Sequence, residues 1–332
     1  MQHPGAPASR REIVTAALGG WILAGAGLDA WWHVSSPDLE TFLTPAHAVL
    51  YSGFAVTSWW MVREWRVART AGLASVHVPS VVGLGLFAVG GVGDLIWHST
   101  FGVERQIGAV ASPSHIVLMA GAALVLSAPL RTAWNRAIAG WRQMIAPFLS
   151  AVSLVALASL VFSFLSPFVR AGAGGTLETQ RYWIGEMPYD VQRTFVASVL
   201  VSNVILFGSL LALVRRWRVP RLFTFGLVLV PTVVVMAVGS FRPPEMIAVA
   251  VCGAGLVELL HAWLRPSEDR RRYHLFGFAG PMAFWVSYVA LVPTLVGEGW
   301  DAELASGAVN WSALSGLGVA AVLWRDSPAR SA

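Results

Sequence analysis

Cysteine is all but missing: Cys252 stands alone in 332 residues. A single thiol excludes a disulfide framework, a CxxC redox pair and a thiolate metal cage. Charge is scarce as well, at 12% of the chain, where soluble domains carry about 25%. Lysine is absent, so all 23 basic residues are Arg, which reads as a compositional habit of the source genome. With 56% hydrophobic residues and a mean hydropathy of +0.63, this scarcity excludes an ordinary soluble enzyme, a disordered tail and a nucleic-acid binder. What remains is a polytopic, all-α membrane protein whose first partner is the lipid bilayer. Ten helices of about 20 residues would use roughly 200 residues.

Apolar stretches of spanning length run at 13–33, 46–62, 79–98, 114–130, 145–167, 192–213, 222–240, 246–264, 275–295 and 305–324. The first follows Arg10 and Arg11 but ends in charged residues, not at a small-residue cleavage site, so no cleavable signal peptide is expected. Loops alternate in character. Eighteen of the 23 Arg fall at the termini or in the even-to-odd loops, and five fall in the others. Twelve of the 18 acidic residues show the opposite bias. The positive-inside rule therefore places both termini in the cytoplasm, in a cell inner (plasma) membrane. The net charge of +5 is a topology signal, not a polyanion patch.

Two segments match each other. Asp29-Ala-Trp-Trp-His33 is followed by Thr44-Pro-Ala-His47, and Asp94-Leu-Ile-Trp-His98 by Ser112-Pro-Ser-His115. Both read D-x-x-W-H near the end of an odd helix, then P-x-H at the start of the next. This suggests a duplicated hairpin of about 65 residues. The expected organisation is one transmembrane domain over 1–332, with duplicated hairpins at 13–130 and further helices at 145–324. A weaker echo follows, Pro188-Tyr-Asp190 and Pro243-Pro-Glu245, with an acid where the hairpins have His. An acid there suits a helix N-terminus for purely local reasons.

Residues four apart share a helix face, so each Asp–His pair can meet one ion, or the Asp can hold its His in one tautomer. His47 and His115 bring a third group back to the same level. Each hairpin thus offers one carboxylate and two imidazoles: Asp29, His33 and His47; Asp94, His98 and His115. That set suits copper, zinc, iron or manganese, and copper leads on affinity. A proton network and structural hydrogen bonding stay open beside metal binding, because intramembrane ionisable groups serve all three.

The spacing resembles the D-x3-H-x12-H copper motif in the C subunit of the copper membrane monooxygenases, the particulate methane and ammonia monooxygenase family. Here Asp29, His33 and His47 have thirteen residues between the two His, and Asp94, His98 and His115 have sixteen. The resemblance covers only the ligands of each hairpin, and it implies a copper site.

Secondary candidates are Glu104, Asp190, Arg242 and Glu245, with Arg105 beside Glu104. The Gly-rich loop at 168–190 lacks the Lys-Ser/Thr ending of a phosphate loop and could cover the outer cavity. Trp32 and Trp97 adjoin the candidate His, and Gly90, Gly91 and Gly93 precede Asp94, as small residues do where helices approach closely. Glu258 and His261 lie beside an Arg-rich loop that reads as an interface anchor.

Three functions compete. The first is a metal-dependent membrane oxidoreductase acting on a lipophilic substrate, since copper or iron supplies chemistry side chains lack. The second is a proton or metal-ion transporter, disfavoured because the mid-span segments are almost wholly apolar. The third is a non-catalytic metal-binding subunit of a membrane complex. Haem is a lesser cofactor option, because all four outer His lie at one depth.

Overall fold

The computed structural model describes residues 8–35, 44–70, 77–102, 107–138, 140–170, 189–297 and 299–325. Among these the regular structure is helical: α1 (Arg10–Ser35), α2 (Pro45–Thr70), α3 (Val78–Phe101), α4 (Gly108–Ala111), α5 (Pro113–Leu126), α6 (Ala128–Ala133), α7 (Trp141–Val161), α8 (Pro167–Arg170), α9 (Tyr189–Asn203), α10 (Ser209–Arg216), α11 (Phe223–Val238), α12 (Met246–Leu264), α13 (Arg270–Leu295) and α14 (Ala302–Arg325). A π-helical turn, Val204–Gly208, joins α9 to α10.

Eight helical stretches among the described residues are long and apolar enough to cross a membrane, so the chain is a multi-pass membrane protein. Each of the ten apolar stretches of the sequence forms helix, but two differ from the other eight. Helix α2 spends its last turns on Arg63, Glu64, Arg66 and Arg69, which leaves a shorter apolar run. Helix α11 has 16 residues, about 24 Å at 1.5 Å per residue against a hydrocarbon core of about 30 Å.

Helix α3 shows how these sequences pack. Val82, Val89, Val92 and Ile96 form an exposed stripe, with Val89 67% accessible. The opposite face buries Leu84, Phe87, Asp94 and His98. Apolar outside and polar inside inverts the soluble pattern, as a lipid surround requires.

The chain divides into two compact units, residues 1–137 with 141–161, and 138–140 with 162–332. In the first, α1 lies along α2 and α3 along α5, each an antiparallel pair, and α7 lies along α1. Small residues set the α3–α5 distance. A Cβ on Gly90 would stand 2.8 Å from the Leu118 backbone nitrogen, and one on Gly121 would stand 2.6 Å from that of Phe87. Gly25 meets the Leu50 backbone in the same way between α1 and α2. Backbone cannot give way as a side-chain tip can. Gly90→Ala is therefore expected to destabilise the first unit by about 1–3 kcal/mol, the usual cost of overpacking. A lowered midpoint of thermal unfolding in detergent checks this. Gly85→Ala, where a Cβ meets nothing within 4 Å, is the neutral control.

One end of this unit is tied by Arg. Ser9 and Glu12 form a reciprocal capping box at the start of α1, with contacts of 2.8 and 3.2 Å. Arg136 reaches Glu12 at 2.8 Å. Arg131 binds Ser80 at 2.7 Å and the Leu124 carbonyl at 2.8 Å, fastening α3 to α5–α6. His77 precedes α3 at this end. Burial pushes its pKa down, with Glu64 opposing and Arg131 adding to the shift.

The second unit holds α8 to α14. Its interior holds a polar knot: Asn203 donates to the Ser312 carbonyl at 3.0 Å and to Ser315 at 2.8 Å, and accepts from the Trp285 indole at 3.0 Å. Glu258 accepts from the Leu222 and Phe225 backbone N–H groups and from the Thr224 hydroxyl, so it caps the start of α11.

Candidate metal centre

The site lies in the first unit, at the end opposite the Arg ties. Asp29 and His33 occupy the last two turns of α1, and Asp94 and His98 the last turns of α3. His47 and His115 stand in the first turns of α2 and α5, each two residues after a Pro at the helix start. Pro costs nothing there, since the first N–H groups have no intrahelical partner. Thr44 and Ser112 cap these helices and accept from the backbone N–H of His47 (3.1 Å) and His115 (3.4 Å). Capping thus fixes where each imidazole leaves the helix.

In each hairpin the carboxylate lies near both imidazoles, but among the described residues only the Asp94 set converges closely enough to hold an ion. Asp29 Oδ1 lies 3.2 Å from His47 Nε2 and 3.6 Å from His33 Nδ1. Asp94 Oδ1 lies 3.4 Å from His98 Nε2 and 3.5 Å from His115 Nε2. Asp94 is 1% exposed, and His47 and His98 are buried. One ligand atom from each of Asp94, His98 and His115 falls within 4.8 Å of the others, a group that could hold a metal ion.

The hydrogen bonds give the imidazoles direction. Ser114 donates to Asp94 Oδ1 at 3.1 Å, and its oxygen lies 3.2 Å from that of Ser112. Ser112 Oγ lies 2.6 Å from His115 Nδ1. Two orders of protons suit this chain: Ser112 donates to His115 Nδ1, which turns Nε2–H toward Asp94, or His115 Nδ1–H donates to Ser112, Ser112 to Ser114 and Ser114 to Asp94. In the second order the Nε2 lone pair of His115 faces the Asp94 carboxylate. In the first hairpin His33 Nδ1 donates to the Asp29 carbonyl at 2.9 Å, which leaves Nε2 as its lone-pair nitrogen. Asp29 Oδ1 is buried and accepts no hydrogen bond from the described residues. Ala46 stands where the second hairpin has Ser114, so the two sets differ in support.

The two sets adjoin each other. The ring centroids of His33, His47 and His98 form a nearly equilateral triangle, with sides of 6.2, 6.3 and 6.3 Å. His115 lies 6.1 Å from His98 on its other side. Tyr51, one turn after His47, packs its ring 5.8 Å from that imidazole. The absence of a side chain at Gly91 makes room for the phenol: a Cβ there would lie 3.2 Å from its oxygen.

Ser112, Ser114 and Tyr51 carry no role in the sequence reading. The serines were visible in Ser112-Pro-Ser-His115, and Tyr51 shares a face with His47 by its i, i+4 spacing. The Trp97 and Phe101 rings lie 4.6 Å apart at a tilt of 47°, and the buried Trp32 indole N–H meets no hydrogen-bond acceptor among the described residues. Glu104, Arg105 and residues 171–188 lie outside the described residues, as does the side chain of Asp190. Arg242 and Glu245 belong to the second unit, are exposed, and make no ion pair with each other. Glu245 sits at the N-cap of α12, but its side chain makes no cap hydrogen bond. His261 packs on Phe276 at 5.8 Å.

Comparison with protein-family models, curated proteins and solved structures finds no match.

Proposed function

We propose that this chain is a ten-span inner (plasma) membrane protein, built from repeated hairpins, that binds metal at the extracytoplasmic ends of its first helices. The ligands are Asp29, His33, His47, Asp94, His98 and His115. Copper is the favoured metal, and the site serves oxidation of a lipophilic substrate. The observation that carries metal binding is the carboxylate–imidazole spacing around buried Asp94. Its two contacts, 3.4 and 3.5 Å, are long for hydrogen bonds. Ligand atoms about 2.0–2.1 Å from one ion at tetrahedral angles stand about 3.3–3.4 Å apart. In the tautomer whose Nδ1–H donates to Ser112, the lone pair of His115 and the Asp94 carboxylate repel each other unless a cation lies between them. A buried carboxylate in apolar surroundings also needs positive charge nearby.

Three protein ligands leave a coordination position open, as catalytic sites require. Bound copper would supply one-electron and oxygen chemistry that no side chain here provides. The exposed apolar stripe of α3 turns the site's own helix toward lipid, the phase a lipophilic substrate occupies. The Arg bias of the loops supports cytoplasmic termini. Helix α2 supports the larger span count: His47 at its start meets Asp29, and its Arg cluster ends it at the opposite end of the first unit.

The test is metal content by plasma mass spectrometry on protein purified in mild detergent, after incubation with copper, zinc or iron and desalting. The wild type is expected to hold one or two equivalents, and a His33→Ala/His98→Ala chain to lose them. A wild type that stays metal-free with all three ions overturns the reading.

A further inference from the structure

We propose that the Arg-rich end of the second unit carries a pocket for the phosphate headgroup of an anionic phospholipid, formed where the α10–α11 and α12–α13 connections meet and lined by Arg218, Arg221, His261 and Arg265.

The two connections are built around this pocket. Helix α10 ends at Arg216, and the chain runs on through buried Trp217 to Arg218. Ser267, in the other connection, shares its hydroxyl between the carbonyls of Val214 (3.2 Å) and Trp217 (3.4 Å), which ties the two together. Glu258 makes a second tie, from α12 to the start of α11. Arg265 ends α12 at φ 48°, a left-handed conformation usually left to Gly or Asn. Between the ties lies a cavity of about 280 Å³, near the lower end of small-ligand pockets at about 300 Å³. It has room for a headgroup and leaves acyl chains outside.

Charge selects the ligand. Three guanidinium groups line the cavity against two carboxylates, Glu258 and Glu268. Both acids are already engaged. Glu258 accepts from two backbone N–H groups and the Thr224 hydroxyl. Glu268 pairs with Arg272, and with Arg265 at 3.7 Å. Arg218 is exposed and has no acidic partner among the described residues. Guanidinium forks match phosphate oxygens, whereas a choline or ethanolamine cation would find no open carboxylate. The pocket therefore favours a net-negative lipid over a zwitterionic one.

The neighbouring face of α12 favours a lipid over free phosphate. Glu258, His261, Ala262 and Arg265 line the cavity at i, i+3, i+4 and i+7, one face of the helix. One step round, Leu259 and Trp263 are 67% and 73% exposed. They form an apolar strip on which chains can lie, and Trp is the residue that membrane interfaces favour. A free phosphate would make no use of that strip. Basic pockets between membrane helices are sites where anionic headgroups bind.

The experiment titrates the delipidated full-length chain in mild detergent with phosphatidylglycerol, with phosphatidylcholine of the same acyl chains, and with inorganic phosphate, and counts bound lipid by native mass spectrometry. The wild type is expected to hold one phosphatidylglycerol more tightly than phosphatidylcholine, and inorganic phosphate is expected not to displace it. Arg218→Gln/Arg221→Gln should weaken phosphatidylglycerol about 10–30-fold, the usual weight of two Arg near an anionic lipid, and leave phosphatidylcholine unchanged. Arg270→Gln/Arg271→Gln removes the same charge outside the cavity and should keep the preference. Ala262→Phe fills the cavity at unchanged charge and should lose it, which keeps the test open if the first variant fails to elute as a monodisperse peak. Equal retention of both lipids by the wild type overturns the pocket. So does an equal loss in the Arg270/Arg271 variant, which would assign the effect to diffuse surface charge. Inorganic phosphate that displaces phosphatidylglycerol overturns the lipid as occupant.

Discussion

Asp94→Asn is expected to abolish metal retention by the second Asp–His–His set while leaving the metal-free chain as stable as the wild type or slightly more so. Amide nitrogen and oxygen fill the same volume, so packing against Ser114 and His98 survives. What changes is charge. Loss of partners that merely orient a ligand weakens metal binding about 10–100-fold, and loss of the anionic ligand itself should exceed that. Without metal, the native Asp94 is a carboxylate 1% exposed in an apolar bundle, an arrangement that costs free energy unless it is compensated. The amide removes that cost. A purely structural role makes the opposite prediction. If Asp94 were there to pair with charged His98 and His115, removing it would strand buried charge, at about 3–5 kcal/mol. Thermal unfolding with and without copper separates the two. The wild type should gain about 2.7 kcal/mol at a free metal concentration one hundred times its Kd, and the variant should lose the contribution of that set. A large drop in the metal-free midpoint would favour the structural role.

The helices and the grouping of each Asp with its two His were legible in the sequence, but the residues that support them were not. The ten apolar stretches are helices because run length and the Arg-rich loops bracket them, and α1, α3 and α13 end within a few residues of the expected edges. The duplicated D-x-x-W-H and P-x-H segments put the three candidate ligands of each hairpin at one level because i, i+4 spacing and a Pro-started helix are local rules, readable without tertiary contacts. Other features depend on distance in space. The adjacency of His33 and His98 comes from α1 and α3, which no spacing rule relates. Glu258 reads in the sequence as part of an interface anchor, yet it caps α11 from 36 residues away. The polar knot of Asn203, Trp285, Ser312 and Ser315 draws on three separate stretches of chain. Helix α2 shows a limit of another kind: composition counts its Arg against a span, whereas its contacts run from the site to the Arg end.

The serines predict a further asymmetry, large enough to measure separately. In the second hairpin, His115 is held through Nδ1 by Ser112 at 2.6 Å, and Asp94 receives the hydroxyl of Ser114 at 3.1 Å. In the first, Thr44 stands where the second has Ser112, His33 is held by a backbone carbonyl, and Ala46 replaces the second serine, so no hydroxyl at that position reaches Asp29. Only the second set has a serine hydroxyl on its carboxylate, so the two sets should respond differently to the loss of hydroxyls around Asp94. Ser112→Ala frees the His115 ring to rotate and to exchange tautomers, so its Nε2 lone pair no longer waits on the ion. The expected result is a metal affinity about 10–100-fold weaker in the second set, the range seen when partners of ligands are lost, with the first set unchanged. Ser112→Thr should restore the affinity, because a hydroxyl returns to the same cap. Competition with a chelator of known affinity reads both numbers. Ser112 also caps α5, so Ser112→Ala should lower stability by about 1 kcal/mol as well. Ser112→Gly separates the two effects, since Gly at an N-cap costs only a few tenths of a kcal/mol yet supplies no hydroxyl. A Ser112→Gly chain that binds metal as tightly as the wild type would show that His115 needs no such partner, and would shift the weight of the site toward Asp94 and His98.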